Sequence, residues 1–229
     1  MARDNYFKSK RAPLSKRQSE TREPKPSAIL IVTEGTETEP LYLNGIQRYI
    51  TQKYGKNIDV RTPKIDIHGE GLGTTSLVRE AASIVNHARR IYSQCWVVFD
   101  RDDFQDFDEA IRLAEKYGFQ VAWSNSCFEF WMMLHFRKDM TPRESDGWKD
   151  SLGAELKKAG LIKSRYEKND ACIAKLPLID GALKRAVENA RSIEKQQSSS
   201  IPSRQNPGTT VHHLIESLSP YLGDILEAK

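Results

Sequence analysis

Residues 95–104 read Cys-Trp-Val-Val-Phe-Asp-Arg-Asp-Asp-Phe, and this stretch decides the fold. Five apolar residues in a row, rich in Val and aromatic side chains, predict a strand buried on both faces, as in a parallel sheet. Three carboxylates follow within four positions: Asp100, Asp102 and Asp103. In open α/β sheets, ligands bind at the carboxyl ends of the strands. Acids clustered there repel one another unless cations neutralise them, which points to a divalent metal.

A second apolar run, Ala28–Thr33, also ends in a carboxylate, Glu34. Because parallel strands end on the same edge of a sheet, we expect Glu34 and Asp100 to converge in space. If the backbone stays extended after the later strand, Asp100 and Asp102 point one way and Asp103 the other. Such an oxygen-rich set suits Mg²⁺ or Mn²⁺. With Asp103 kept as a further candidate ligand, the sequence predicts a metal site at this edge.

The alternative is that one of the later acids (Asp102, Asp103 or Asp106) only caps the next helix. Capping accounts for one or two of them. It leaves unexplained why Glu34 stands at the matching place on another strand.

Strand and helix patterns alternate over the first part of the chain. Strands are predicted at 28–33, 58–67, 95–100 and 119–123, and helices begin near residue 39, within residues 69–76, and near residues 106 and 127. This order predicts an α/β, Rossmann-like domain over residues 28–138, with a mainly parallel sheet flanked by helices. The strand signal disappears from Asp139 onward, where helices are predicted at 147–160, 171–196 and 209–227. We therefore expect a helical extension over residues 139–229 that packs on the sheet domain.

Positive charge is concentrated at the N-terminus. The whole chain of 229 residues has a net charge of +4, but residues 1–27 hold eight Lys or Arg against three Asp or Glu. Such a segment is typical of a disordered basic arm that contacts a polyanion, or of a tail that only aids solubility. The candidate contacts in the arm are Lys10, Arg11, Lys16 and Arg17.

The chain carries no stretch long and apolar enough to span a bilayer, and its N-terminus is unlike a signal peptide. The three cysteines (Cys95, Cys127 and Cys172) lie far apart, which favours reduced thiols over a disulfide or zinc set. We therefore expect a cytoplasmic protein with no membrane contact.

Several motifs resemble known families. Glu-Gly after the first strand and Asp-x-Asp after a later one resemble the Toprim domain of primases, topoisomerases and overcoming-lysogenisation-type nucleases. Four longer motifs together resemble the RloB-like family. They are TEGTETEPLY at 33–42, FDRDD at 99–103, NSCFEFWMMLHF at 125–136 and NPGTTVH at 206–212.

The resemblance implies roles for individual residues. The Toprim pattern implies that Glu34 works in acid/base chemistry or metal binding, and that Asp100 and Asp102 are metal ligands. The family motifs add four residues: Thr38, Glu39, Glu129 and His135. The resemblance also implies a Toprim-like fold, a prokaryotic antiviral-defence setting and an ATPase partner encoded alongside.

Three of the added residues leave alternatives open. Either Glu39 or Glu37 is the second functional acid of the first motif. Glu129 is costly to bury in an apolar helix without a partner, which favours a functional role over decoration. His135 lies six residues later, about 120° around an ideal helix from Glu129. There, near the helix end, an imidazolium also has a structural role in interacting with the dipole.

These observations predict a metal-dependent nuclease acting on RNA, tRNA included, or on DNA. Glu34, Asp100 and Asp102 would hold Mg²⁺ or Mn²⁺, and Glu39 and Glu129 would complete the site. Lys168 and His212 are candidate nucleic-acid contacts in the helical extension, although basic residues on helices are often only solvated. Two alternatives stay open: a metal-dependent phosphatase with an aspartyl nucleophile, and a non-enzymatic adaptor that binds an ATPase or a nucleic acid. Assembly as a homo-oligomer is a further expectation.

Overall fold

The computed structural model describes residues 28–54, 58–61, 74–89, 91–102 and 105–227. The predictions for the basic arm, for residues 62–67 and for Asp103 lie outside the described residues. The strands are β1 Ala28–Thr33, β2 Ile58–Arg61, β3 Tyr92–Asp100, β4 Gln120–Asn125 and β5 Gly208–Thr209. The helices are α1 Thr38–Tyr54, α2 Thr74–His87, α3 Phe107–Lys116, α4 Phe128–Met133, α5 Ser145–Lys158, α6 Ala182–Glu194, α7 Val211–Ser217 and α8 Ser219–Leu226.

The five strands form one sheet in the order β2-β1-β3-β4-β5, in which the first four are parallel and β5 is antiparallel to β4. The prediction of a mainly parallel sheet flanked by helices is therefore confirmed. From β1 the chain moves outward to β2 and then returns to place β3 on the other side of β1. This reversal makes the crevice between the carboxyl ends of β1 and β3 a topological switch point, where α/β proteins bind ligands.

Both faces of the sheet are covered, as the unbroken apolar runs predicted. Leu30 and Val32 of β1 pack in one core cluster with residues of α2 and α3. Ile29 and Ile31 belong to a second cluster with residues of α1, α4 and the C-terminal helices. All four side chains are buried, and each contributes about 1.5–3 kcal/mol through burial. The strands that carry the acids therefore have little freedom to move.

The C-terminal part shares the second cluster and adds to the sheet. Leu214 of α7 packs in the same cluster as Ile31, and β5 pairs with the end of β4 through Ser124↔Thr209. The prediction that no strand follows Asp139 is wrong, because a two-residue strand is too short to give a periodic signal. The division at residue 138 stays a prediction.

Two of the predicted C-terminal helices are shorter than expected. The one predicted at 171–196 begins at Ala182, after a 3₁₀ turn at Leu176–Leu178 and Gly181, whose φ of +64° favours glycine. The one predicted at 209–227 is divided into α7 and α8, and Pro220 lies in the first turn of α8, where proline is favoured. Among the described residues, no helix combines the length and apolarity needed to cross a membrane.

Candidate metal centre at the carboxyl edge of the sheet

Glu34 and Asp100 meet at the crevice between β1 and β3. The N–H of Glu34 donates to the carbonyl of Val98 at 2.9 Å, which continues the β1–β3 pairing past the strand end. The Glu34 side chain then crosses the crevice, and its Oε2 accepts the backbone N–H of Asp100 at 3.2 Å. The predicted convergence of these two acids is therefore confirmed.

The Asp100 carboxylate lies at the start of α4. Its Oδ2 accepts the N–H of Phe128, the first residue of that helix, at 2.9 Å. Its Oδ1 is buried and has no hydrogen-bond partner among the described residues. Burial raises the pKa of Asp100 well above its usual range, and the charges of Glu39 and Glu129 raise it further. An unsatisfied buried acceptor costs about 1–3 kcal/mol, so a cation beside Oδ1 would be stabilising.

Glu39 joins the same cluster from the first turn of α1. Its buried carboxylate lies against Gly35, where an added Cβ would overlap it, so a side chain at position 35 would displace the Glu39 carboxylate. Burial raises the pKa of Glu39 to about 7; the charge of Glu129 adds to this shift and Lys168 opposes it. Glu37 is exposed. Of the two glutamates that the sequence left open, Glu39 is therefore the one inside the cluster.

Glu129, the second residue of α4, is only 2% exposed. A buried acid in an apolar helix needs a partner, and the partner here is the hydroxyl of Tyr166, which donates to Oε1 at 3.2 Å. Burial and the charge of Glu129 raise the pKa of Tyr166, so the hydroxyl keeps its proton and remains a donor. Tyr166 thus fixes the position of Glu129 from the loop that follows α5.

Asp102 closes the cluster on the solvent side. It has a φ of +32°, in the left-handed region that few residues other than glycine adopt, although Asp tolerates it better than most. Its N–H donates to the carbonyl of Ser126 at 3.1 Å, and its Oδ1 accepts the hydroxyl of Ser145 at 2.7 Å. Strained backbone of this kind concentrates at functional sites, where the surrounding structure holds it in place.

The cluster therefore brings together all five acids predicted as catalytic: Glu34, Glu39, Asp100, Asp102 and Glu129. Burial raises the pKa of Glu34 to about 8. The hydrogen bond from Asp100 acts to lower this pKa, and the charges of Glu39 and Asp102 act to raise it further. Glu34 and Glu39 therefore hold protons near neutral pH, chiefly because burial disfavours their charged forms. A divalent cation would displace those protons.

Carboxylates are the ligands that Mg²⁺ and Mn²⁺ prefer, so the donor set fits these ions. Among the described residues, one group of potential metal ligands has atoms that all lie within 4.8 Å of one another. It is formed by Glu194, His212 and His213 and is separate from this edge of the sheet. The acids of the edge are more widely spaced.

Asp106 has the structural role that the capping alternative described, but for a different helix. Its two carboxylate oxygens accept the N–H groups of Thr74 and Thr75 at 3.1 and 2.9 Å, at the start of α2 rather than α3. Partial burial acts to raise the pKa of Asp106, but these hydrogen bonds outweigh it and the pKa is lowered. Asp106 is therefore a charged helix cap.

His135 belongs to the core. Its Nε2 lies 2.9 Å from the Tyr42 hydroxyl, and its Nδ1 lies 3.3 and 3.2 Å from the carbonyls of Trp131 and Met132. Burial lowers the pKa of His135 to about 3, so the ring is neutral at physiological pH. This arrangement suits a tautomer whose Nδ1–H donates to the carbonyls while Nε2 accepts the tyrosine O–H. The geometry favours the structural alternative, and a functional role for His135 stays a prediction.

The two nucleic-acid candidates of the helical extension differ in exposure. Lys168 is exposed beside the acidic cluster, and its charge acts to lower the pKa of Glu39. His212 is 0% exposed and pairs with Glu194 at 3.1 Å, while His213 lies 2.8 Å from the other oxygen of the same carboxylate. Burial lowers the pKa of His212. Its contact with nucleic acid stays a prediction that this conformation does not favour.

Two side chains that hold the cluster were not foreseen: Tyr166 and Ser145. Neither belongs to a motif quoted above. Tyr166 lies in an irregular loop whose sequence gives no periodic signal, and only the packing of that loop reveals its role. Ser145 is the first residue of α5, and a serine at a helix start predicts a cap rather than a contact with a distant aspartate.

An α/β protein with a carboxylate cluster at the switch point of its parallel sheet is the class that this fold and site define. The family model for RloB-like proteins matches residues 29–218, which include all four sequence motifs, and the chain belongs to this family. Comparisons with curated proteins and with solved structures found no match. The relationship to Toprim domains stays a prediction.

Proposed function

We propose that this RloB-like protein is a metal-dependent nuclease that hydrolyses phosphodiester bonds. The observation that carries the proposal is the meeting of five carboxylates at the switch point, with one buried oxygen of Asp100 lacking any partner among the described residues. Apolar packing alone gives no reason to bury these acids together, because each raises the cost of ionising the others. A divalent cation gives that reason.

Each acid has a role that follows from its position. Glu34, Asp100 and Asp102 would hold Mg²⁺ or Mn²⁺ from the ends of two neighbouring strands. Such an ion polarises a phosphoryl oxygen and lowers the pKa of bound water. Glu39, buried in the first turn of α1 beside these acids, would be positioned to accept or return a proton. Glu129 would add negative charge to the site, and the hydrogen bond from Tyr166 would hold its carboxylate in position.

The biological setting that we propose follows the family resemblance. The protein would act as an effector in prokaryotic antiviral defence, with an ATPase partner that controls its activity. The basic N-terminal arm would add salt-sensitive affinity for the nucleic-acid backbone.

The test is a cleavage assay with labelled tRNA, single-stranded RNA and plasmid DNA, each with Mg²⁺, Mn²⁺ or EDTA. We expect cleavage that needs the metal and that falls about 100-fold or more in Glu34→Gln. Glu115→Gln, which changes an exposed glutamate on α3, is the matched control and should cleave like the wild type. If no substrate is cut, the assay is repeated with the ATPase encoded beside the protein.

Two outcomes would contradict the proposal. Cleavage at the wild-type rate by Glu34→Gln would remove the acidic cluster from the reaction. Hydrolysis of p-nitrophenyl phosphate but not of bis-p-nitrophenyl phosphate would instead favour the phosphatase alternative, because only the second compound is a diester. The adaptor alternative predicts metal-dependent melting with no turnover, even when the ATPase is present.

A further inference from the structure

A cleft of about 630 Å³ opens beside the acidic cluster, between α5 and the loop that contains Tyr166. Four of the residues that line it are basic: Lys149, Lys157, Arg165 and Lys168. Asp146, Asp150 and Glu167 line it as well, and Asp146 forms an ion pair with Lys149 at 2.9 Å.

Three of the four cations are available to a ligand. Lys157, Arg165 and Lys168 are exposed, and among the described residues none of them forms an ion pair. The four cations exceed the three carboxylates of the lining by one charge (4 − 3 = 1), and a concave surface strengthens the field that this excess exerts on a chain of negative charges.

The cleft borders the acidic cluster, although none of the five acids lines it. Tyr166 lines the cleft and donates its hydroxyl to Glu129. The carbonyl of Lys168 accepts the hydroxyl of Thr38, the residue before Glu39. At the other wall, α5 begins at Ser145, which donates to Asp102. A ligand in the cleft would therefore be separated from the carboxylates by about one layer of side chains.

The size and lining of the cleft restrict what it can hold. Its volume is in the range of small-ligand pockets, about 300–1,000 Å³. A single strand is flexible enough to bend into a concave surface of this size, whereas a duplex, with a persistence length of about 50 nm, is too stiff to do so. Tyr166 is the aromatic residue in the lining, and at 7% exposed it cannot serve as a platform on which a base stacks.

We infer that this cleft binds the phosphate backbone of single-stranded nucleic acid and leads it to the acidic cluster. The inference rests on the proposed function and deepens it by naming the substrate class: unpaired strands, recognised through their phosphates and without dependence on base sequence. A loop or an unpaired end of a folded RNA has the same chemistry. A continuous duplex carries the same phosphates but is too stiff to follow the cleft.

The test is fluorescence anisotropy with a labelled 12-nucleotide single strand, as RNA and as DNA, and with the corresponding duplex, all in EDTA so that no cleavage occurs. The variant Lys157→Glu/Arg165→Glu changes two exposed cleft residues. The matched control Lys116→Glu/Lys195→Glu changes two exposed lysines outside the cleft lining. Both variants keep the basic arm, and their melting temperatures are compared with that of the wild type.

We expect the single strand to bind more tightly than the duplex, and the cleft variant to weaken that binding at least tenfold. The control should lose much less. The plot of log K against log [salt] has a negative slope, which should become less steep by about 0.7 for each phosphate contact removed. Equal binding by the two double variants would overturn the inference, and so would tighter binding of the duplex.

Failure of this inference is distinguishable from failure of the proposed function. If the cleft variant loses binding while the wild type cleaves nothing, even with the ATPase, the binding surface stands and the nuclease proposal falls. If the wild type cleaves and the cleft variant binds normally, the nuclease proposal stands and the cleft inference falls.

Discussion

Asp100→Asn is expected to abolish cleavage and, in the same preparation, to raise the melting temperature of the metal-free protein. The asparagine keeps an acceptor for the N–H of Phe128. It also removes one charge from a crowded set of acids. At pH 8 in EDTA we expect a gain of about 1–2 kcal/mol, or about 2–8 °C.

Cleavage should fall on the order of 10³-fold in the same variant, because a metal contributes several kcal/mol of transition-state stabilisation. Asp180→Asn, at an exposed position before α6, is the matched control and should change neither property. A lower melting temperature for Asp100→Asn would mean that the carboxylate is a structural element. Retained cleavage would mean that Asp100 is no metal ligand.

The second large effect is the pH dependence of stability without metal. Glu34 and Glu39 have pKa values of about 8 and 7 in the folded protein, against 4.5 as their ordinary value. Between pH 4.5 and 8 the folded state therefore binds more protons than the unfolded state, so its stability decreases as the pH rises. The stability that these two carboxyl groups contribute to the folded state is fully present below about pH 4.5 and is lost above about pH 8. In EDTA the melting temperature should fall steadily from pH 6.5 to 8.5.

Melting temperatures measured above pH 6.5 report the titration of the acids without the opposing effect of His135. His135 has its pKa lowered to about 3, which makes stability rise with pH, but only up to the ordinary value of 6.5. The double variant Glu34→Gln/Glu39→Gln should melt with a flatter pH profile. Mn²⁺ should raise the melting temperature of the wild type more at pH 8 than at pH 6.5, because it competes with protons. A wild-type profile that is flat or rises in EDTA would contradict the account.

Much of the site follows from two patterns in the sequence. Apolar runs buried on both faces are a strong signal for parallel strands, and parallel strands end on one edge, so the meeting of Glu34 and Asp100 could be predicted. The position of Glu129 could be suspected because an acid among apolar helix residues needs a partner. The choice between Glu37 and Glu39 could not be made, since it depends on how α1 is oriented against Gly35.

The rest depends on contacts between distant segments. Tyr166 and the basic residues of the cleft come from α5 and an irregular loop, where no local period marks a functional residue. β5 is two residues long and is recognisable only through its pairing with β4. The first residues of β3 are polar and more exposed than its centre, so the apolar run begins three residues after the strand does. Local sequence carries little information on such long-range packing.

Isothermal titration of the metal-free protein with Mn²⁺ at pH 7.5 tests the central claim most directly. The wild type and Asp100→Asn are compared on a His213→Ala background, which disrupts the separate group of Glu194, His212 and His213. We predict one or two Mn²⁺ ions per chain in the protein with Asp100, and the loss of at least one of them in Asp100→Asn. Equal binding by the two proteins, or no binding by either, would contradict a metal centre at the carboxyl edge of the sheet.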